Sequence, residues 1–233
     1  MNKQPIGIIG AMQVEIDTLA AALENAKTET VGGLNFTAGE LDGTPVVLTV
    51  CGIGKVFAAM AAQTLILRYG VRAIINTGVA GTLTDRLSIG DIAIAENVVQ
   101  HDMDTSAVGD PVGLISGLNQ VYMAADANLA ARIAAVIDGM GIRRAVGTIA
   151  SGDVFVADSS KKTYIRDTFG AIACEMEGAS IGQVCTVNGI PFAVIRAISD
   201  GGNEDAAMDY PTFVKIAAAK SAAVVRKAVN EMR

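Results

Sequence analysis

Ala171-Ile172-Ala173-Cys174-Glu175-Met176-Glu177-Gly178-Ala179 and Phe192-Ala193-Val194-Ile195-Arg196-Ala197-Ile198-Ser199-Asp200 share one construction, an apolar run that ends in carboxylates. Short apolar runs bounded by turn residues and helical patterns read as buried strands. Open α/β sheets place their ligand crevice outside the carboxyl ends of the strands. The two segments therefore deliver Glu175, Glu177 and Asp200 to the expected site of chemistry. A carboxylate is costly to desolvate, so acidic groups gathered beside buried strands point to a functional site.

The alternation continues outward from these strands. Residues 6–9 read as a first strand, and Gly10-Ala11 turns it into a helix over residues 14–23. Residues 34–39 and 45–50 read as a hairpin about Asp42-Gly43, a strong turn signal. Residues 56–69 read as a helix whose buried face carries Phe57, Met60, Ala61 and Leu65. Strands follow at 73–76, 92–95 and 145–150, with helices at 126–140 and 179–188 around them. A final helix begins at Pro211, with the proline in its first turn. Residues 101–122 read as loop-rich, and the connection over residues 101–117 has the length of a functional or interfacial loop. Such alternation predicts an α/β fold, with a mixed, largely parallel sheet covered by helices. No composition break, repeat or low-complexity tract divides the chain, so residues 1–233 are expected to form one domain.

Composition narrows the function. The chain is 51% hydrophobic and 4% aromatic with no Trp, so its core must be aliphatic. A net charge of −6 without a basic run argues against nucleic-acid backbones and anionic membranes as partners. Cys51, Cys174 and Cys185 are odd in number and lack C-x-x-C spacing, which speaks against a disulfide scaffold or a zinc site and suits a reducing cytoplasm. The apolar start of the chain is too short for a signal peptide, and residues 46–67 are broken by Gly52, Gly54, Lys55 and Gln63, as in a strand, a turn and a helix.

Several chemistries fall away on inspection. His101 is the single histidine and no Gly-x-Ser-x-Gly surrounds any serine, which removes Ser-His-Asp and Cys-His systems. His101, Asp102 and Asp104 read as loop anchors rather than metal ligands. Gly52-Ile53-Gly54-Lys55 lacks the first glycine and the final Ser/Thr of a phosphate loop. Gly7-Ile8-Ile9-Gly10 has the wrong glycine spacing for a dinucleotide fingerprint. Glu15, Glu175, Glu177 and Asp200 remain, beside Asn76-Thr77-Gly78 at another strand end. Taken singly, Glu15 and Glu177 are also ordinary first-turn residues that complement a helix dipole.

Gly7 to Glu15, Gly52 to Lys55, Asn76-Thr77-Gly78-Val79-Ala80-Gly81, Ser151-Gly152-Asp153-Val154-Phe155, Glu175-Met176-Glu177 and Arg196 to Asp200 together resemble the 5′-methylthioadenosine/S-adenosylhomocysteine nucleosidases of the nucleoside phosphorylase superfamily. The motifs run in order from residue 6 to the tail. The resemblance implies one α/β domain with a twisted, partly barrel-like mixed sheet, a homodimer, and hydrolysis of an N-glycosidic bond without cofactor or metal. It implies that Asp200 protonates purine N7, that Glu15 activates water and that Glu177 holds the ribose hydroxyls. Arg196 would lie near the water. Val156 would bind adenine through its backbone, Phe155 would stack on it and Met176 would pack on the ribose. Ile53, Met12 and Tyr210 would line the pocket for the 5′-substituent, with Ala80, Gly81 and Ser199 in the same site. Val108 would reach a partner's pocket. Val79 replaces a common serine, and Val108 a common aromatic.

Rival activities remain. A phosphorylase would need arginines to clamp phosphate, and Asn76 stands where that pattern has one. Aminodeoxyfutalosine would be served by the same catalytic groups. A nucleoside-binding sensor without catalysis is disfavoured by the presence of both Glu15 and Asp200.

Overall fold

In chain order the elements are β1 (Ile6–Gly10), α1 (Gln13–Ala21), β2 (Leu23–Val31), β3 (Leu34–Leu41), β4 (Thr44–Val50), α2 (Lys55–Tyr69), β5 (Ala73–Thr82), β6 (Ile92–Gln100), β7 (Met123–Ala124), α3 (Ala127–Gly139), β8 (Arg144–Ser151), α4 (Ser159–Phe169), β9 (Ala171–Glu175), α5 (Gly178–Asn188), β10 (Phe192–Asp200) and α6 (Ala206–Asn230). The structure is a computed structural model that describes residues 4–203 and 205–232, with Met208 described by its backbone alone. Residues 1–3, 204 and 233 of the expected single domain lie outside the described residues.

β5 organises the sheet, and all of its residues are buried. The strand order is β10-β6-β8-β9-β5-β1-β4-β3-β2, with β7 beside β6. A further pairing of β10 with β5 closes β5, β10, β6, β8 and β9 into a ring, the barrel-like part of the fold. β1 pairs with β5 in parallel along Ala73 to Asn76. On the same edge β9 meets β5 only at Gly81 and Thr82, running antiparallel. Among the described residues no strand covers residues 77–80 on that edge, so β1 and β9 splay apart there. A split of this kind, at the carboxyl ends of parallel strands, is where an α/β sheet opens for a ligand.

Two large, mainly aliphatic clusters cover the faces, and a smaller third gathers Leu83, Val99, Ile165 and Phe169. Ala58, Ala61, Ala62 and Leu65 of α2 pack with Ala179, Ile181 and Cys185 of α5. Leu19 of α1, Ile133 of α3 and Val225 of α6 form the second large cluster with β1, β4 and β10. The three cysteines are buried and free, and burial pushes each thiol up to about 12, which fits packing rather than reactivity.

Some expectations are corrected. Phe57 and Met60 do not belong to the buried face of α2: they are 49% and 41% exposed, and alanines take the inner positions. α6 starts at Ala206 instead of at Pro211, so the proline lies within the helix and not in its first turn. Pro211 there forgoes one intrahelical hydrogen bond, while the Tyr210 hydroxyl donates to Met12 Sδ at 3.1 Å and pins the preceding turn. α1 ends at Ala21, and β2 follows from Leu23 where no strand was expected. α4 is a further addition, capped by the Asp158 carboxylate on the Lys161 N–H at 2.8 Å. β5 and β6 run on past Asn76 and Ala95 to Thr82 and Gln100.

Candidate active site

The split beside β5 opens into a cavity of about 360 Å³. Glu15, Glu177 and Asp200 line it, together with Arg196, Met12, Ile53, Ala80, Gly81, Phe155, Met176, Ser199 and Tyr210. A smaller space of about 30 Å³ adjoins it and holds Val156, sharing Gly81, Phe155, Met176 and Asp200 with the main cavity. Of the expected site residues only Val108 stands apart. It is 81% exposed, in the 3-10 turn Ser106–Val108.

Glu15 sits in the first turn of α1. Its Oε2 accepts the N–H groups of Ala11 and Met12 at 2.7 and 2.9 Å, which is the helix-start role. Its Oε1 crosses to β5 and accepts the Val79 N–H at 3.1 Å, inside the uncovered stretch. The carboxylate thus ties β1's exit to β5 while facing the cavity. Burial raises its pKa, against the opposing pull of Arg196 and the backbone donors.

Arg196 lies on β10 at 1% exposure. Its Nη2 donates to Glu175, to Asn76 Oδ1 and, at 3.4 Å, to Glu177 Oε2. Asn76 in turn donates from Nδ2 to the Ile9 carbonyl at 3.0 Å. Nη2 is therefore already engaged by protein acceptors, while Nε is buried without a partner among the described residues.

The two glutamates of β9 and its exit divide their work. Glu175 accepts the N–H groups of Glu177 and Gly178, at 3.0 and 2.8 Å on Oε2, and the Ser151 hydroxyl. It is the anion at the N-terminus of α5, the role the helix-dipole reading gave to Glu177. Glu177 is thereby free to turn inward. Its Oε1 accepts the Gly54 N–H at 2.9 Å, and burial pushes its carboxyl up to about 7. The positioning role of Glu175 escaped sequence reasoning, although the same apolar-run signal contains it.

Asp200 ends β10. A bulge at Ser199 shifts the register so that Ile198 faces Ala80 and Asp200 faces Gly81. Ser199 Oγ donates to Asp200 Oδ2 and the Gly202 N–H to Oδ1, both at 2.9 Å. Burial raises the Asp200 pKa. Phe155 stands 45% exposed at the cavity mouth, its ring edge-on to Tyr210 with centroids 5.5 Å apart. The arrangement offers a raised-pKa acid beside aromatic and apolar walls, and a carboxylate cluster with one cation at the other end.

A model of the phosphorylase superfamily matches residues 5–230, and the chain belongs to that superfamily. Within it the chain groups with the 5′-methylthioadenosine/S-adenosylhomocysteine nucleosidases. It is 39% identical to that of Shewanella piezotolerans over 97% of this chain and 99% of the relative. The crystal structure of the Neisseria meningitidis nucleosidase, in complex with methylthio-immucillin-A, superposes with a TM-score of 0.95 at 36% identity, covering 98% of this chain and 100% of that one. The futalosine hydrolase of Helicobacter pylori matches at a TM-score of 0.94 and 35% identity, covering 98% of each chain.

Proposed function

We propose that this protein hydrolyses the N-glycosidic bond of 5′-methylthioadenosine and S-adenosylhomocysteine, releasing adenine with 5-methylthioribose or S-ribosylhomocysteine. The observation that carries this reading is the convergence of Glu15, Glu177 and Asp200 on one cavity whose only guanidinium among the described residues, Arg196, is already paired. Adenine is a poor leaving group as an anion. Asp200, whose pKa burial raises, donates a proton to purine N7 as the bond breaks. Glu15 takes a proton from the attacking water, and Glu177 accepts the ribose hydroxyls and stabilises the developing cation. Arg196 holds Glu177 in place. Phe155 covers the base, Val156 meets it through the backbone, and Met176 packs on the sugar. Met12, Ile53 and Tyr210 receive the 5′-thioether.

Water is the nucleophile. A phosphate dianion in the cavity would meet the carboxyl groups of Glu15, Glu175, Glu177 and Asp200, and a single guanidinium whose charge Glu175 and Glu177 already share. Adenine release from methylthioadenosine in phosphate-free buffer tests this directly. Release only after phosphate is added would make the protein a phosphorylase. Likeness to the futalosine hydrolase supports aminodeoxyfutalosine as a second substrate for the same groups.

We infer further that the protein works as a homodimer in the cytoplasm. Ile53, Val56, Phe57 and Met60 stand exposed about the start of α2, and the Lys55 ammonium ties that start to the loop leading to exposed Val108. An apolar patch of this kind marks an interface. Val108 then completes the 5′-pocket of the second copy. Light scattering on the purified protein checks the assembly, and a monomeric mass overturns it. Buried, unlinked cysteines suit a reducing compartment, and no described helix is long and apolar enough to cross a membrane.

A further inference from the structure

Lys55, Asp102 and Asp153 come from three distant segments and close a hydrogen-bonded ring beside the cavity. The Lys55 N–H donates to Asp153 Oδ1 at 2.8 Å, the Asp153 N–H donates to Asp102 Oδ2 at 2.9 Å, and the Lys55 ammonium returns to Asp102 Oδ1 at 2.7 Å. None of the three lines the cavity. Each is joined in sequence to something that matters there.

Lys55 begins α2 directly after Gly54, whose N–H holds Glu177 Oε1 at 2.9 Å. Gly54 has no side chain to cap the helix, and Asp153 supplies the cap from across the fold. Gly54 is also at φ +103°, and a Cβ there would meet Asp153 Oδ1 at 3.0 Å, so glycine is needed both for the backbone and for the approach of this carboxylate. Asp153 precedes Phe155 and Val156, the residues assigned to adenine. Asp102 opens the loop that leads to Val108. The Lys55 ammonium also donates to Gln100 Oε1 at 3.1 Å, and Gln100 donates to Gln183 of α5 at 2.6 Å, so the ring is braced against the helix that begins beside Glu177.

We propose that Lys55, Asp102 and Asp153 are positioning residues that set the base-binding segment and the Gly54–Glu177 hydrogen bond in one fixed geometry. This rests on the hydrolase reading of the cavity. The one ion pair among them, Lys55–Asp102, is partly exposed and contributes little to stability. Their effect is on placement, where an error of about 1 Å costs up to about a hundredfold in rate.

The test compares Asp153→Ala, Asp153→Asn and Asp102→Ala with wild type. Adenine release from methylthioadenosine gives kcat and KM, and amide hydrogen exchange is followed over residues 52–56 and 152–156. Asp153→Ala is expected to lower kcat/KM by about tenfold to a hundredfold, through both parameters, with faster exchange in both segments and a melting temperature lowered only by the loss of the cap. Asp153→Asn retains an acceptor for the Lys55 N–H and is expected to recover most of the rate and the protection. Asp102→Ala should speed exchange at both segments although it touches neither Gly54 nor Phe155. Unchanged exchange and wild-type kinetics in Asp153→Ala overturn the inference, as does an asparagine variant no better than alanine. A wild-type protein that releases no adenine would sink the hydrolase reading instead, and the exchange data would still decide whether the ring orders the two segments.

Discussion

The carboxylate of Glu15 and the backbone of Val79 meet at 3.1 Å in the one stretch of β5 that neither β1 nor β9 covers. A buried N–H without a strand partner has to be satisfied by something, and here the proposed base does it. The contact depends on Gly78. A Cβ at that position would overlap both Glu15 Oε1 and Arg196 Nη1. Gly78→Ala is therefore expected to displace both groups and to lower kcat/KM by about a hundredfold, with the fold retained by circular dichroism. Near wild-type turnover in this variant would separate the Glu15–Val79 contact from catalysis.

Two carboxyl groups line the space beside Phe155 and Val156; Glu175 is engaged by Arg196 and by the N–H groups of Glu177 and Gly178, which leaves Asp200 as the proposed acid. Asp200→Asn keeps an oxygen for the Gly202 N–H, so the loop is expected to survive. It removes the proton that adenine needs on leaving. Turnover of methylthioadenosine should fall by about 10²–10⁴-fold, with adenine affinity changed far less. Rapid turnover in the variant would move the acid to another residue.

Much of this was legible in the sequence, for a physical reason. β9 and β10 are buried on both faces, so they read as apolar runs, and the carboxylates after them stand out against that background. What was missed lacks a buried face. β2 is exposed over residues 24–30, and its hydrogen bonds to β3 leave no pattern in side-chain polarity. α4 buries only Ile165 and Phe169, too few for a helical period. Phe57 and Met60 follow the helical spacing that the sequence reading used, but they lie on an apolar face that this chain alone does not cover. The Lys55–Asp102–Asp153 ring joins residues far apart in sequence, and no local spacing announces it.

Raised carboxyl pKa values have a consequence for stability. Burial pushes Glu177 from 4.5 up to about 7, and raises Glu15 and Asp200 as well. A carboxyl with a higher pKa folded than unfolded makes the native state bind more protons in that interval, so stability falls as pH rises. The contribution is complete below pH 4.5, the unfolded value for Glu177, and is lost as pH climbs to about 7. Thermal unfolding in the absence of ligand should show the melting temperature dropping across this window. Glu177→Gln should flatten the drop and melt higher than wild type above about pH 7. An unchanged slope would place the proton elsewhere in the cluster.

Arg196 tests the same cluster from the cationic side. It is the cation that Glu175 and Glu177 share, at 1% exposure. Removing one member of a buried pair leaves an uncompensated charge and costs about 3–5 kcal/mol. Arg196→Met is therefore expected to lose stability on that scale in urea titrations, because the remaining acids repel one another across the cavity. The loss should shrink at acid pH, where Glu177 takes up a proton without a cation beside it. Adding Glu175→Gln to Arg196→Met should restore part of the stability while leaving turnover low, since Gln still offers an acceptor to the Gly178 N–H but no cation steadies Glu177. A double variant as unstable as the single one would mean that packing around the guanidinium, rather than the unpaired charge, dominates the cost.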